Sequence, residues 1–271
     1  PHYPAPPEAI FITQSGETAD ILQAMKRLKE KGTRCLVITN VPNSSASRLA
    51  DQVLLICASP EISVAATKSF LGQLMVLYQL ALYLYERRPE NGWGSLHREM
   101  AQLPGKVQSI LDNRQPIIDC AARLAGSQHA FFIGRGSNYA IAQEGALKLK
   151  EISYIHAEAC PAGELKHGPL ALLEHDSPVI AVTSPGYALT AMLTSIKEVK
   201  ARDAYVVAVG NEHTTELWQE ADDVLAVPDT NPLLSPVLNT VILQLLAYYT
   251  AKIRHCPIDF PRNLAKSVTV E

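Results

Sequence analysis

At 271 residues, 47% of them apolar and 19% charged, the chain has the composition of soluble globular proteins and room for one large or two ordinary domains. Its 24 basic and 27 acidic residues leave a net charge of −3, with none of the basic stripes or aromatic-basic interleaving of a nucleic-acid binder. The longest apolar run, LGQLMVLYQLALYLY, is too short and too amphipathic to read as a membrane span.

The chain opens on PHYPAPPEAIF, without methionine, without a charged-then-apolar leader and almost directly into a strand, so a segment is expected to precede it. Residues 9–13 (AIFIT) form a short β-prone run, and QSGETAD turns from it into a helix over 21–31. Thr18 or Ser15 can cap that helix, Asp20 suits its first turn, and Gly32 stops it. CLVITN follows as a strand, VPNSSAS as a polar loop and DQVLLICA as a third strand. SPEISVAATKSFLGQLMVLYQLALYLYERR reads as a long helix. An irregular stretch at 89–94 then leads into weaker helical segments up to about residue 124.

From residue 129 the pattern restarts. HAFFIGRG is a strand, a poor strand candidate lies near IHAEA, and PVIAVTSPG parallels IFITQSGET. ALTAMLTSIKEVKA, YVVAVGN, ADDVLAVP and SPVLNTVILQLLAYYTAKIR parallel the later elements of the first half in order. Strands alternating with helices at this spacing predict an α/β fold of two doubly wound parallel-sheet domains. The second would hold five strands in flavodoxin-like order, and the first only the last three of such a set. The expected divisions are 1–94, 95–260 and a tail over 261–271.

Residues 143–169 (QEGALKLKEISYIHAEACPAGELKHGP) concentrate the chemistry. Lys148 and Glu151, three apart, share a helix face that Glu144 continues. Ala146, Leu147, Leu149 and Ile152 predict that this helix is largely buried, where a carboxylate and an amine must meet each other or a ligand. An isolated Lys-x-x-Glu is most often a structural ion pair. Here the preceding glycine turn, GRGSNYA, places the helix at the ligand-binding end of an α/β unit, and KHGP puts His167 in a downstream loop. GRGSNYA itself reads as structural. The loop TQSGETAD offers Thr13, Gln14, Ser15 and Thr18 beside a helix start and Gly16, a nest suited to a phosphate monoester. An ordinary capped turn is an equal reading of that motif alone. No GxxxxGK[ST] is present, which speaks against nucleoside triphosphates. The five cysteines (Cys35, Cys57, Cys120, Cys160, Cys256) show no metal spacing and fit a reducing cytoplasm.

Together ITQSGETAD, SVAATKSF, GRGSNYAIAQEGALKLKEISYIHAEACPAGELKHGPLAL and PRNLAKSVTVE resemble the isomerase half of the glucosamine-6-phosphate synthase family, built from two sugar isomerase (SIS) domains. The resemblance implies that Gln14, Ser15 and Thr18 bind phosphate and sugar, with Thr13 standing where the family has serine. It places Val64 at the sugar-contacting turn, beside Ala66 where serine is common. It makes Glu151 the carboxylate that moves a proton between C1 and C2, Lys148 its helper, and His167 the ring-opening residue, reaching in from a second subunit. Lys266 becomes a Schiff-base amine held by the Ala265 backbone. A proton-transfer role would suit Glu151 best if partial burial raised its pKa while Lys148 limited the rise.

The implied reaction converts fructose 6-phosphate and ammonia to glucosamine 6-phosphate in a cytoplasmic homodimer, with no metal, cofactor, nucleic acid or membrane. The family's first βα unit, with its Gly-Thr-Ser loop, and its glutaminase domain have no counterpart in these residues. The chain alone is therefore expected to bind fructose 6-phosphate weakly and to leave its first strand as an open edge. A related deaminase is an alternative, disfavoured by QSGETAD and the terminal motif. A sugar-phosphate-sensing regulator is another, disfavoured by the joint presence of Glu151, His167 and Lys266.

Overall fold

The computed structural model describes residues 5–86, 94–186 and 188–266. Chain contacts gather into two compact units, one formed by Pro1–Asn91 with Arg262–Glu271 and the other by Gly92–Pro261.

In the first unit β1 (Glu8–Thr13), β2 (Arg34–Thr39) and β3 (Gln52–Leu55) form a parallel sheet in the order β1-β2-β3. The crossovers are α1 (Ala19–Glu30) and α2 (Ser45–Leu49), and α3 (Lys68–Glu86) follows the sheet. Met25, Val37 and Ala46 anchor the core between α1, α2 and the sheet. Gly32 ends α1 as expected: at φ +82 it lets Thr33 N–H return to the Leu28 carbonyl. Among the described residues β1 pairs with β2 alone, and its Ile10 and Ile12 remain 53% and 40% exposed.

Two local expectations change here. The polar loop VPNSSAS runs into α2 at Ser45, because the Ser44 hydroxyl accepts from Ser47 N–H and nucleates a short helix. The long helix begins at Lys68 rather than in SPEIS, because the Glu61 carboxylate folds back onto its first turn. The stretch expected to be irregular at 89–94 lies outside the described residues apart from its last position.

The second unit carries β4 (His129–Gly134), β5 (His156–Pro161), β6 (Pro178–Val182), β7 (Tyr205–Asn211) and β8 (Asp223–Val227). They are parallel and run β5-β4-β6-β7-β8, the expected doubly wound order. β6 and β7 are buried along their whole length, which explains why they read as unbroken apolar runs. The helices are α4 (Gly94–Asp112), α5 (Gln115–Leu124), α6 (Ser137–Ser153), α7 (Leu189–Lys200), α8 (Thr215–Glu220) and α9 (Ser235–Ile253). The weak segments of the sequence reading are thus full helices, and the poor strand near IHAEA is β5. α7 and α8 pack on the sheet face that carries Phe131, Val179, Val206 and Val224. α6 and α9 pack on the opposite face, so closely that a Cβ on Gly145 would stand 2.6 Å from Leu243.

Candidate active site

Within the first unit the predicted binding residues gather at the carboxyl end of the sheet, where open parallel sheets take ligands. The loop after β1 is internally braced: Thr13 Oγ1 accepts from Gly16 N–H at 3.1 Å and Ser15 Oγ from Glu17 N–H at 3.2 Å. Gly16 has φ +71, and a Cβ there would lie 2.1 Å from Ser44 Oγ, so glycine is required. Glu17 accepts from Ser45 N–H at 2.8 Å, and that bond holds its carboxyl below the usual value. Thr18 occupies the N-cap position of α1 without a side-chain cap bond, and Ser15 turns to Glu17 instead of capping. No hydroxyl is therefore spent on the first-turn amides of α1, which suits an incoming anion.

The loop after β3 lies at the same end. Asn40 joins the two, its N–H donating to the Gln14 carbonyl and its Nδ2 to the Ser59 carbonyl. Val64 and Ala66 are half-buried in this loop and Ala265 is exposed. Lys266 Nζ donates to the Ser63 carbonyl at 2.6 Å. The structure thus brings Thr13, Gln14, Ser15, Thr18, Val64, Ala265 and Lys266 into one unit.

In the second unit α6 presents a three-membered charge cluster. Lys148, 4% exposed, stands 2.6 Å from Glu151 Oε2 and 3.7 Å from Glu144 Oε1. Burial pushes the Glu144 carboxyl up to about 7; Lys148 opposes the rise and the charge of Glu151 adds to it. The carboxyl that burial raises is thus Glu144, about two turns before Glu151 on the same helix. Both facing oxygens are buried, and the Lys148 ammonium is the charge they share. Leu147, expected to be buried, is 41% exposed.

The expected placement of this cluster changes. α6 begins at the carboxyl end of β4, but Lys148 and Glu151 occupy its last turns, roughly 15–20 Å farther along at 1.5 Å per residue. Next to them, after Tyr154, the chain enters β5 at the amino end of the sheet. His167 ends a 3-10 segment (Ala162–His167) that follows β5 at its carboxyl end and packs through Leu165 on the α7 face. The histidine is exposed and forms no hydrogen bond or ion pair among the described residues. One chain therefore holds Glu151 and His167 at opposite ends and on opposite faces of its sheet.

GRGSNYA, expected to be structural, contributes Asn138 to a buried hydrogen-bond network. Asn138 Nδ2 donates to Ser184 Oγ at 2.9 Å, and Asn239 Nδ2 donates to the Asn138 side chain and to the Thr183 carbonyl. This network ties α6 and α9 to the end of β6. A cavity of about 500 Å³ beside Trp218, Asp222 and Asn113 contains none of the predicted residues. Its acids are engaged, Asp222 with Lys200, Asp223 with Arg123 and Glu212 with the Asp229 N–H. Among the described residues no His/Cys/Asp/Glu cluster has metal-ligating geometry, and no helix is long and apolar enough to cross a membrane.

The SIS domain model matches residues 8–83 and 123–254. Among curated proteins the chain is 53% identical over 266 residues to a glutamine–fructose-6-phosphate aminotransferase (isomerizing) of Methanosarcina mazei, covering 97% of this chain and 43% of the relative. It is 50% identical to the enzyme of that name from Caldanaerobacter subterraneus, covering 97% and 44%. The chain thus spans less than half the length of these relatives. Among solved structures it is similar to the C-terminal domain of glucosamine-fructose-6-phosphate aminotransferase from Francisella tularensis, with TM-score 0.87 and 36% identity over 94% of this chain and 72% of that one. It is also similar to glucosamine-6-phosphate deaminase from Thermotoga maritima, with TM-score 0.81 and 25% identity over 99% and 77%.

Proposed function

The chain belongs to the SIS-domain family, and from that premise we propose that it is the isomerising part of a glucosamine-6-phosphate synthase, turning fructose 6-phosphate and ammonia into glucosamine 6-phosphate and water. The observation that carries this reading is the buried Lys148 ammonium between two carboxylates on α6, 2.6 Å from Glu151. The reaction needs a ring opened, an imine formed at C2 and a proton moved from C1 to C2, with no change of oxidation state. The imine acidifies the C1 hydrogen, so a carboxylate can remove it and return it to C2. Glu151 fills that role, with Lys148 orienting it through their 2.6 Å ion pair. Gln14, Ser15 and Thr18, with Thr13, seat the phosphate and sugar at the amide-rich start of α1. Val64 and the Ala265 backbone complete the binding set. Lys266 is the amine that condenses with the ketose carbonyl.

His167 opens the ring, as imidazole suits proton exchange near neutrality. Its separation from Glu151 across the sheet supports the reading that each histidine serves a second copy, so the working form is a homodimer. Five free cysteines fit a reducing cytoplasm. No metal or cofactor takes part, and ammonia arrives from a glutaminase domain outside these residues or free from solution.

The likeness to a deaminase at 25% identity keeps the reverse reaction as a second reading, which the much higher identity to aminotransferases disfavours. Incubation with fructose 6-phosphate, with and without ammonium, tests the proposal through the sugar formed. Glucosamine 6-phosphate appearing only with ammonium is expected. Ammonia release from glucosamine 6-phosphate as the dominant reaction would favour the deaminase, and binding without turnover would favour a sensor.

A further inference from the structure

Glu61 lies in the loop between β3 and α3 and has no part in the scheme above. Its carboxylate accepts from Ser69 N–H at 2.9 Å, Ser69 Oγ at 2.6 Å, Thr67 N–H at 3.2 Å and Thr67 Oγ1 at 3.2 Å. Four donors at a helix start fix a carboxylate more firmly than any single cap. Burial pushes its pKa up, but the bonds from Ser69 and Thr67 and the charge of Lys266 outweigh that and hold it below the usual value. It is thus an anion near neutral pH, held in a fixed position. Two residues along the same loop, the Ser63 carbonyl receives Lys266 Nζ at 2.6 Å. The neighbouring cation, Lys68 at the start of α3, turns instead to Ser59 Oγ at 3.0 Å.

We propose that Glu61 is the positioning residue of Lys266: its pinned carboxylate seats the ammonium against the Ser63 carbonyl and keeps it charged until substrate arrives. The consequence for catalysis rests on the reading of Lys266 as the amine that condenses with the ketose. A charged lysine cannot attack a carbonyl, so the seat holds the C-terminal tail docked with its nucleophile masked. Entry of the sugar phosphate must then break the contact with Ser63 before the amine loses its proton.

Trace acetylation of the 271-residue chain with acetic anhydride across pH, read at Lys266 by mass spectrometry, tests the seat without requiring turnover. Only the neutral amine reacts. Glu61→Gln keeps the shape and removes the charge, and is expected to raise Lys266 labelling near neutral pH by about tenfold, as for loss of one opposite-charge neighbour. Glu61→Asp should restore part of the protection. Ser69→Ala leaves three of the four donors on Glu61 and should leave the Lys266 profile in place, which separates seating from helix capping. A Glu61→Gln profile that overlays the wild type would overturn the proposal. If Glu61→Gln unmasks Lys266 but borohydride with fructose 6-phosphate fails to trap that lysine in any variant, the seat stands and the Schiff-base role falls.

Discussion

Lys148 places its ammonium 2.6 Å from Glu151 Oε2 inside a helix that is otherwise packed against α9 and the sheet. A buried lysine of this kind costs several kcal/mol unless carboxylates surround it. Here there are two: Glu144 is deep enough for burial to raise its pKa to about 7, while Glu151 lies about two turns nearer the helix end.

Glu151→Gln should preserve fold and sugar-phosphate binding and remove proton transfer. The expected loss is about a hundredfold to ten-thousandfold in exchange of the C1 or C2 hydrogen with deuterated water. Wild-type exchange rates in the variant would move the base elsewhere.

Glu144 makes stability fall as pH rises. Its folded value of about 7 lies above the ordinary 4.5, so its contribution is fully present below pH 4.5 and is lost through about pH 7. The gap is worth at most about 3 kcal/mol. Asp51, held low by the Cys35 N–H and Lys29, loses its own contribution only on acidification below its ordinary 3.8, so the two windows do not overlap. Glu144→Gln mimics the protonated form and should flatten the decline. Urea unfolding of both chains from pH 5 to 8 checks this, and parallel curves would contradict it.

Mixing Glu151→Gln chains with His167→Ala chains should regain activity that neither has alone, because a mixed dimer contains one site with both groups intact. The opposed positions of Glu151 and His167 on the sheet motivate the test. Absence of rescue after proven subunit exchange would mean that the histidine acts within its own chain or not at all.

Among the described residues the outer edge of β1 pairs with no strand and its Ile10 and Ile12 are exposed, so these 271 residues on their own should bind apolar dyes and self-associate. Ile10→Lys with Ile12→Lys should suppress both in sedimentation and fluorescence titrations. A wild-type chain that stays monodisperse and binds no dye would show the edge to be covered.

Apolar periodicity made both parallel sheets legible, because buried parallel strands must be apolar on both faces. The run VIAV and the run YVVAV were therefore readable as β6 and β7, and the three strands of the first unit were readable from the same apolar runs although they are less buried. The ion pair on α6 followed from spacing alone, since three residues make nearly one helical turn. Placement did not follow. Which of two carboxylates burial would raise depends on what α6 packs against, and Glu144 and Glu151 look alike in sequence. Glu61 was invisible because its partners are reached by a loop folding back on a helix start, a geometry with no fixed spacing. That His167 and Glu151 of one chain face away from each other was decided by the tertiary structure, because the helix runs back along the sheet and the next strand returns before the histidine is reached.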